Sequence, residues 1–182
     1  MYINTDCSDH KFKQVGYAYL NGLIPTDLRD LFVKIMLDYK NTNQLTLESS
    51  LDTNMYKNSY GRGGIVEMED FLKRITEELS VKFSISIKPS NTYARIYYNN
   101  STLYKHVDRP GLDYTLSTTL FSNIKTDWPL YVIDKNGNQV SSNISTGDGL
   151  LIHGTELPHW RDPLFCNNDE YVIQLFLHWT KI

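Results

Sequence analysis

Apolar residues along this chain fall into two spacings. In PTDLRDLFVKIMLDYK, residues 25–40, Leu28, Leu31, Phe32, Ile35 and Met36 recur at intervals of three and four, which gathers them on one helical face. Pro25 and Thr26 supply the start of that helix. A second stretch of the same kind, EMEDFLKRITEELS at 67–80, aligns Phe71, Leu72, Ile75 and Leu79. Both stripes predict helices that face a core. Ahead of them, QVGYAYLNGLI at 14–24 reads as a short strand and a turn. From residue 82 the period shortens to two: VKFSISIKP alternates, TYARIYY is β-branched and aromatic, and YTLSTTLFS, PLYVID, GLLIHG and YVIQLFLHW follow. The turn signals between them are NN, KNGN and CNND, and NGN between YVID and QVSS marks a hairpin. Helices first and six or more short strands after them predict a mainly β fold with flanking helices, an antiparallel sandwich or barrel with the helices packed outside. No repeat or boundary divides residues 1–182, so one domain is expected.

Residues 40–64 fit neither period. They are rich in Asn, Ser and Thr and end in GRGG, and so long a loop in a compact domain is either mobile or functional, a lid over a site being the functional reading.

Composition narrows the function classes. Hydrophobic residues at 41% and aromatics at 13% exclude a disordered tail. A net charge of −3 with no cluster of Lys and Arg speaks against nucleic acid as a partner, because that binding rests on neutralising phosphates. Cys7 and Cys166 lack the spacing of a zinc knuckle or redox pair and read as reduced thiols. MYINTDCSDHKFK has no apolar core of a signal peptide, and no run approaches the roughly 18 apolar residues of a membrane span. The expected location is cytoplasmic, away from membranes, where the N-x-[ST] patterns at Asn99, Asn100 and Asn143 would not meet glycosylation machinery.

The candidate chemistry begins at YKHVDRP. His106 and Asp108 stand two apart, and on an extended segment both side chains emerge on one face. An imidazole and a carboxylate so placed can take adjacent positions on a metal. His159, in ELPHWRDP, would complete a two-His, one-carboxylate facial triad that leaves positions open for substrate and oxygen. Spacing alone leaves a second reading open, in which His106 and Asp108 are an ordinary strand pair and His159 a core histidine.

The surrounding segments resemble a known family. ARIYYNNSTLYKHVD places a Tyr-bearing strand ahead of H-x-D, and STGDGLLIHGTELPHW places a Gly-Asp turn and an apolar strand ahead of His159. Both resemble the prolyl 4-hydroxylase-like branch of the 2-oxoglutarate- and iron-dependent oxygenases, over residues from about 90 to the C-terminus. HWRDP and QLFLHW are similar to strings in a phage and bacterial subset. The resemblance implies a double-stranded β-helix (jelly roll) at about 82–182, buttressed by helices at about 25–80. It implies His106, Asp108 and His159 as Fe(II) ligands and as the catalytic centre, with 2-oxoglutarate and O2 as co-substrates. Tyr97 matches a position whose hydroxyl contacts the co-substrate. The implied reaction couples decarboxylation of 2-oxoglutarate to hydroxylation of a C–H bond in a small molecule or peptide, such as a prolyl residue or a free amino acid.

One position departs from the family pattern. A Lys or Arg about ten residues beyond the distal His ordinarily holds the far carboxylate of 2-oxoglutarate, and here Asp169 and Glu170 stand there. A carboxylate in a partly dry pocket requires a cation or several donors, and Arg meets the need best through its two-pronged geometry. Arg161, two residues past His159, is the first substitute and Arg95, two before Tyr97, the next; Gln174 and His178 can add neutral donors from the final strand. Trp128, Pro129 and Trp160 read as packing residues that could wall the pocket, and Asp148 as a residue that fixes its own turn. The missing anchor also supports a different class, a cupin-like module that holds a metal or small ligand without turnover. A zinc hydrolase using the same triad is disfavoured, because no Glu or His stands nearby as a base.

Overall fold

The structure is a computed structural model that describes residues 2–48 and 56–182, with residues 56 and 57 described by backbone alone. Among the described residues three helices precede most of the sheet: α1 (Asp9–Val15), α2 (Thr26–Asn41) and α3 (Val66–Phe83). Ten strands follow and intersperse them: β1 (Tyr17–Leu20), β2 (Thr46–Glu48), β3 (Tyr56–Gly63), β4 (Ile87–His106), β5 (Tyr114–Ser122), β6 (Leu130–Ile133), β7 (Gln139–Ser142), β8 (Gly149–Ile152), β9 (His159–Arg161) and β10 (Val172–Lys181). They pair in the order β1-β8-β5-β10-β4-β9-β6-β7, all antiparallel, with the β2–β3 hairpin added to β4. The result is a mainly β fold with flanking helices, in which the sheet curls on itself as in a jelly roll.

Period-two alternation explains why both faces of the central strands are buried. On β10, Ile173, Leu175, Leu177 and Trp179 join the core shared with Phe32 and Met36 of α2 and Phe71, Leu72, Ile75 and Leu79 of α3. Full burial of each such side chain is worth about 1.5–3 kcal/mol. The indole of Trp179 also donates to Thr76 Oγ1 at 2.9 Å, tying β10 to α3. The alternate residues Gln174, Phe176 and His178 point the other way, into the curl. There a second apolar cluster of Leu103, Leu130, Val132, Leu150 and Ile152 joins the two halves of the sheet.

Several expectations need correction. Val81–Phe83 continue α3, and the strand starts only at Ile87, because Phe83 is fully buried in the helix-facing core and Ser84 ends the helix with φ 49°. The stripe on α2 is narrower than its spacing implies, since Leu31 is 43% exposed. Asn99 and Asn100 do not end a strand. β4 runs through them with a bulge, Asn100 adopting φ 64°, a left-handed conformation that Asn tolerates. Residues 40–64 are not one loop, for α2 extends to Asn41 and the β2–β3 hairpin lies within them. The part of the lid expectation that falls on 49–55 lies outside the described residues. Asp148 braces a neighbouring segment as well as its turn, accepting from Tyr19 Oη at 2.8 Å and Gly22 N at 2.7 Å. Helix α1 has no counterpart in the apolar spacing; Ser8 caps its N-terminus and Gly16, at φ 84°, its C-terminus. Among the described residues no helix is long and apolar enough to cross a membrane.

Candidate metal centre and anion pocket

His106 is the last residue of β4, and Asp108 lies just beyond it. The chain stays extended enough that Val107 between them points outward, 45% exposed. β9 pairs antiparallel with β4, setting His159 opposite His106. One ligand atom from each of His106, Asp108 and His159 lies within 4.8 Å of the others. The two histidine Nε2 atoms stand 3.7 and 3.8 Å from Asp108 Oδ1. Each ring is aimed from behind: His106 Nδ1 meets Tyr104 O at 2.7 Å, and His159 Nδ1 meets Leu157 O at 2.9 Å. With Nδ1 as donor to these carbonyls, both Nε2 lone pairs are directed at the centre.

Asp108 is fixed just as firmly. Its backbone N–H donates to Gly154 O at 2.8 Å, and Thr115 Oγ1 donates to Oδ2 at 2.5 Å. A Cβ at Gly154 would collide with that same carboxylate, so the glycine ending GLLIHG is required by close approach. Burial alone would raise the Asp108 pKa, but His106, the His159 ring, Thr115 and His178 outweigh it and hold the carboxyl at about 2. Burial also lowers the His159 pKa, against the pull of Asp108, and favours the neutral ring that a metal needs. A donor set of two neutral imidazoles and one ionised carboxylate, with open space beside it, suits Fe(II).

The other candidates separate into two places. Arg95 and His178 line the triad's own pocket, with Ser117, Leu103 and Phe176. Arg95 already grips Glu48 of β2 through two contacts, at 2.6 and 3.2 Å, so its charge is compensated. Burial holds the His178 pKa down at about 4, so the ring is neutral near pH 7. Arg161 and Gln174 line a different cavity, of about 210 Å³, together with Thr119 and Trp128.

Arg161 is 2% exposed, and none of the ion pairs among the described residues includes it. Its Nη1 donates to Trp128 O, its guanidinium lies 4.5 Å from the centre of the Trp128 ring, and its buried Nη2 makes no hydrogen bond among the described residues. Gln174 Oε1 is likewise buried without a partner among the described residues. Burial lowers the Arg161 pKa to about 10, with Tyr97 opposing the fall, and the group stays charged near neutrality. An exposed salt bridge with Asp162 is thus ruled out for Arg161. Glu170, in the position where a basic anchor was sought, instead accepts from Asn167 N at 3.0 Å and faces Lys125 Nζ at 3.9 Å. Tyr97 is fully buried, edge-on to Trp128 at 5.0 Å between ring centres.

Two contacts escaped sequence reasoning, though Trp128, expected to pack and wall the pocket, does line the Arg161 cavity. Thr115 sits among other threonines of YTLSTTLFS with nothing to distinguish it. Trp128 reaches Arg161 across 33 positions, a contact that no local pattern announces. Trp160 faces outward, stacked on Tyr131 at 5.3 Å, with Lys105 Nζ 4.5 Å from its ring centre.

Comparison with solved structures identifies the fold. A prolyl 4-hydroxylase from Pseudomonas putida superposes with TM-score 0.73 at 10% identity, covering 95% of this chain and 96% of that one. A Trichoplax adhaerens prolyl hydroxylase in complex with a hypoxia inducible factor peptide fragment gives 0.71 at 15%, covering 93% and 86%. HygX from Streptomyces hygroscopicus, with nickel and 2-oxoglutarate bound, gives 0.65 at 10%, covering 93% and 85%. The chain shares the fold of these three structures. No family model and no curated protein matches the sequence.

Proposed function

We propose that this chain is an Fe(II)- and 2-oxoglutarate-dependent dioxygenase that hydroxylates a C–H bond. His106, Asp108 and His159 would hold the iron, and Arg161, with Gln174 and Thr119 around it, the far carboxylate of 2-oxoglutarate. One observation carries the reading: a charged, buried guanidinium with an unused donor lies two residues along β9 from a triad histidine. Leaving such a charge uncompensated costs several kcal/mol on the order of other buried ions. A carboxylate delivered by a ligand removes that cost. Tyr97, beside Trp128, steadies the ring on which Arg161 lies.

When bound, the iron and co-substrate supply the oxidising power. The protein's share is orientation. The carbonyls of Tyr104 and Leu157 aim the two imidazoles, Thr115 holds the Asp108 carboxylate, and Leu103 and Phe176 give the pocket apolar walls. Arg95 is the weaker candidate for the anchor, because Glu48 already answers its charge.

We infer a small molecule or peptide as the substrate. The Trichoplax enzyme was solved with a peptide fragment and HygX also with hygromycin B, and a prolyl residue or free amino acid is our preferred class here. The similarity of HWRDP and QLFLHW to phage and bacterial strings supports membership of that subset, and two unpaired cysteines, Cys7 and Cys166, suit the cytoplasm.

Glu170 at the usual anchor position favours a second reading, a cupin-like module that binds without turnover. Succinate formation that requires both O2 and 2-oxoglutarate, and that His106→Ala abolishes, is the expected result for the enzyme. Iron and 2-oxoglutarate binding with no succinate across a broad substrate panel would leave the module.

A further inference from the structure

The Arg161 cavity has an opening of its own. Its lining passes from exposed Ser122, Asn143 and Ser145 inward to Thr119, Gln174 and Arg161, each no more than 3% exposed. The triad pocket, of about 140 Å³, opens elsewhere, beside exposed Arg109. Shared strands join the two. Thr115 and Ser117 of β5 face the triad while Thr119 and Ser122 face the other cavity; on β10, running the opposite way, His178 and Phe176 face the triad and Gln174 and Val172 the other. The two openings therefore lie toward opposite ends of these strands.

A 2-oxo diacid spanning Arg161 and the metal would sit between both mouths. Entering past the triad, it must lead with the far carboxylate, carrying that charge past Asp108 and between Leu103 and Phe176. Entering from the Ser122 and Ser145 side, it leads with the 2-oxo acid, and the trailing carboxylate stops at Arg161. Resting on the function proposed above, we propose that 2-oxoglutarate enters, and its dicarboxylate product leaves, through the Ser122–Ser145 mouth, while the triad mouth serves the molecule to be oxidised. A substrate seated at the triad then does not block exchange of the co-substrate.

The test follows 2-oxoglutarate binding to the Mn(II)-loaded chain by stopped-flow tryptophan fluorescence, since Trp128 lies under Arg161. Narrowing the mouth with Ser122→Phe and Ser145→Phe together should slow association and dissociation alike, by about tenfold, and leave Kd within about threefold, because a gate changes both rates equally. Should the pair lower the melting temperature, Ser145→Phe alone replaces it. Arg109→Phe at the triad mouth should leave both rates within about twofold. Slowing by Arg109→Phe, with or without slowing by the serine pair, overturns the route, as does no slowing by either. A parent chain that binds Mn(II) but never 2-oxoglutarate overturns the proposed function as well, so the two failures are distinct.

Discussion

The two ends of the curled sheet are built from the same strands yet treat charge in opposite ways. At the triad end one negative charge, on Asp108, is met by two imidazoles and a hydroxyl, and the rings are held by backbone carbonyls. At the other end one positive charge, on Arg161, lies on an indole and meets a single carbonyl, with no carboxylate partnered to it among the described residues. His159 and Arg161 are only two positions apart on β9. A polar cluster that answers its own needs is a scaffold ready for a small cation. A buried charge left unanswered points to a ligand that brings the opposite one.

The largest expected effect breaks the triad end. Asp108→Ala removes its only anionic ligand and should weaken Fe(II) binding by at least about a thousandfold, near 4 kcal/mol. Metal titration checks it, and retention of stoichiometric iron would assign the carboxylate role elsewhere. Next comes the arginine end. Arg161→Met should raise the Kd for 2-oxoglutarate by about a hundredfold while iron binding is unchanged, as expected for losing a charge-assisted pair. The same variant should stabilise the ligand-free chain by roughly 1–2 kcal/mol in urea, because an uncompensated buried ion is gone. Lower stability together with unchanged 2-oxoglutarate affinity would make Arg161 structural.

Acid should separate the ends too. Four buried or half-buried histidines lie away from the Arg161 cavity: His106, His159 and His178 line the triad pocket, and His153 packs on Phe12 and Tyr114. Burial, then Lys135, holds His153 at about 4 in the fold, against Glu156. The folded value lies below the unfolded value of about 6.5, so the neutral ring's contribution is complete above pH 6.5 and lost as pH falls toward 4. Discounted for partial solvent access, the loss is about 2 kcal/mol, and His153→Leu should flatten that limb in metal-free chemical denaturation. The smallest effect is Thr115→Val. It removes the hydroxyl on Asp108 and should cost about tenfold in metal affinity with 2-oxoglutarate affinity otherwise intact, as partners of metal ligands ordinarily do.

How much of this could be read beforehand depends on the range over which each residue acts. The stripe on α3 and the strands from Tyr114 onward were legible because burial follows a local period. His106, Asp108 and His159 were legible because their neighbours form recognisable strand and turn segments. Arg161 could be nominated from the two-residue period of β9, but its isolation from any carboxylate is a property of the folded interior. Phe83 misled because a buried aromatic closes a helix as readily as it opens a strand. Asn99 and Asn100 misled because one signal serves a turn and a bulge alike.

One feature of the sheet bears on how the chain is made. β10, the last strand in sequence, lies between β4 and β5 and pairs with both, from Val172 to Lys181 on one side and to Trp179 on the other. On a ribosome, the nine described strands β1 to β9 emerge before the one that joins β4 to β5. Until Val172–Lys181 is available, β4 and β5 each present an open edge, the kind of surface that pairs with other chains. His159 and Arg161 are synthesised before the strand that closes the space between them and Gln174. A nascent chain stalled short of Val172 therefore carries all three triad residues and no finished pocket, and the sheet closes only once Val172–Lys181 has emerged.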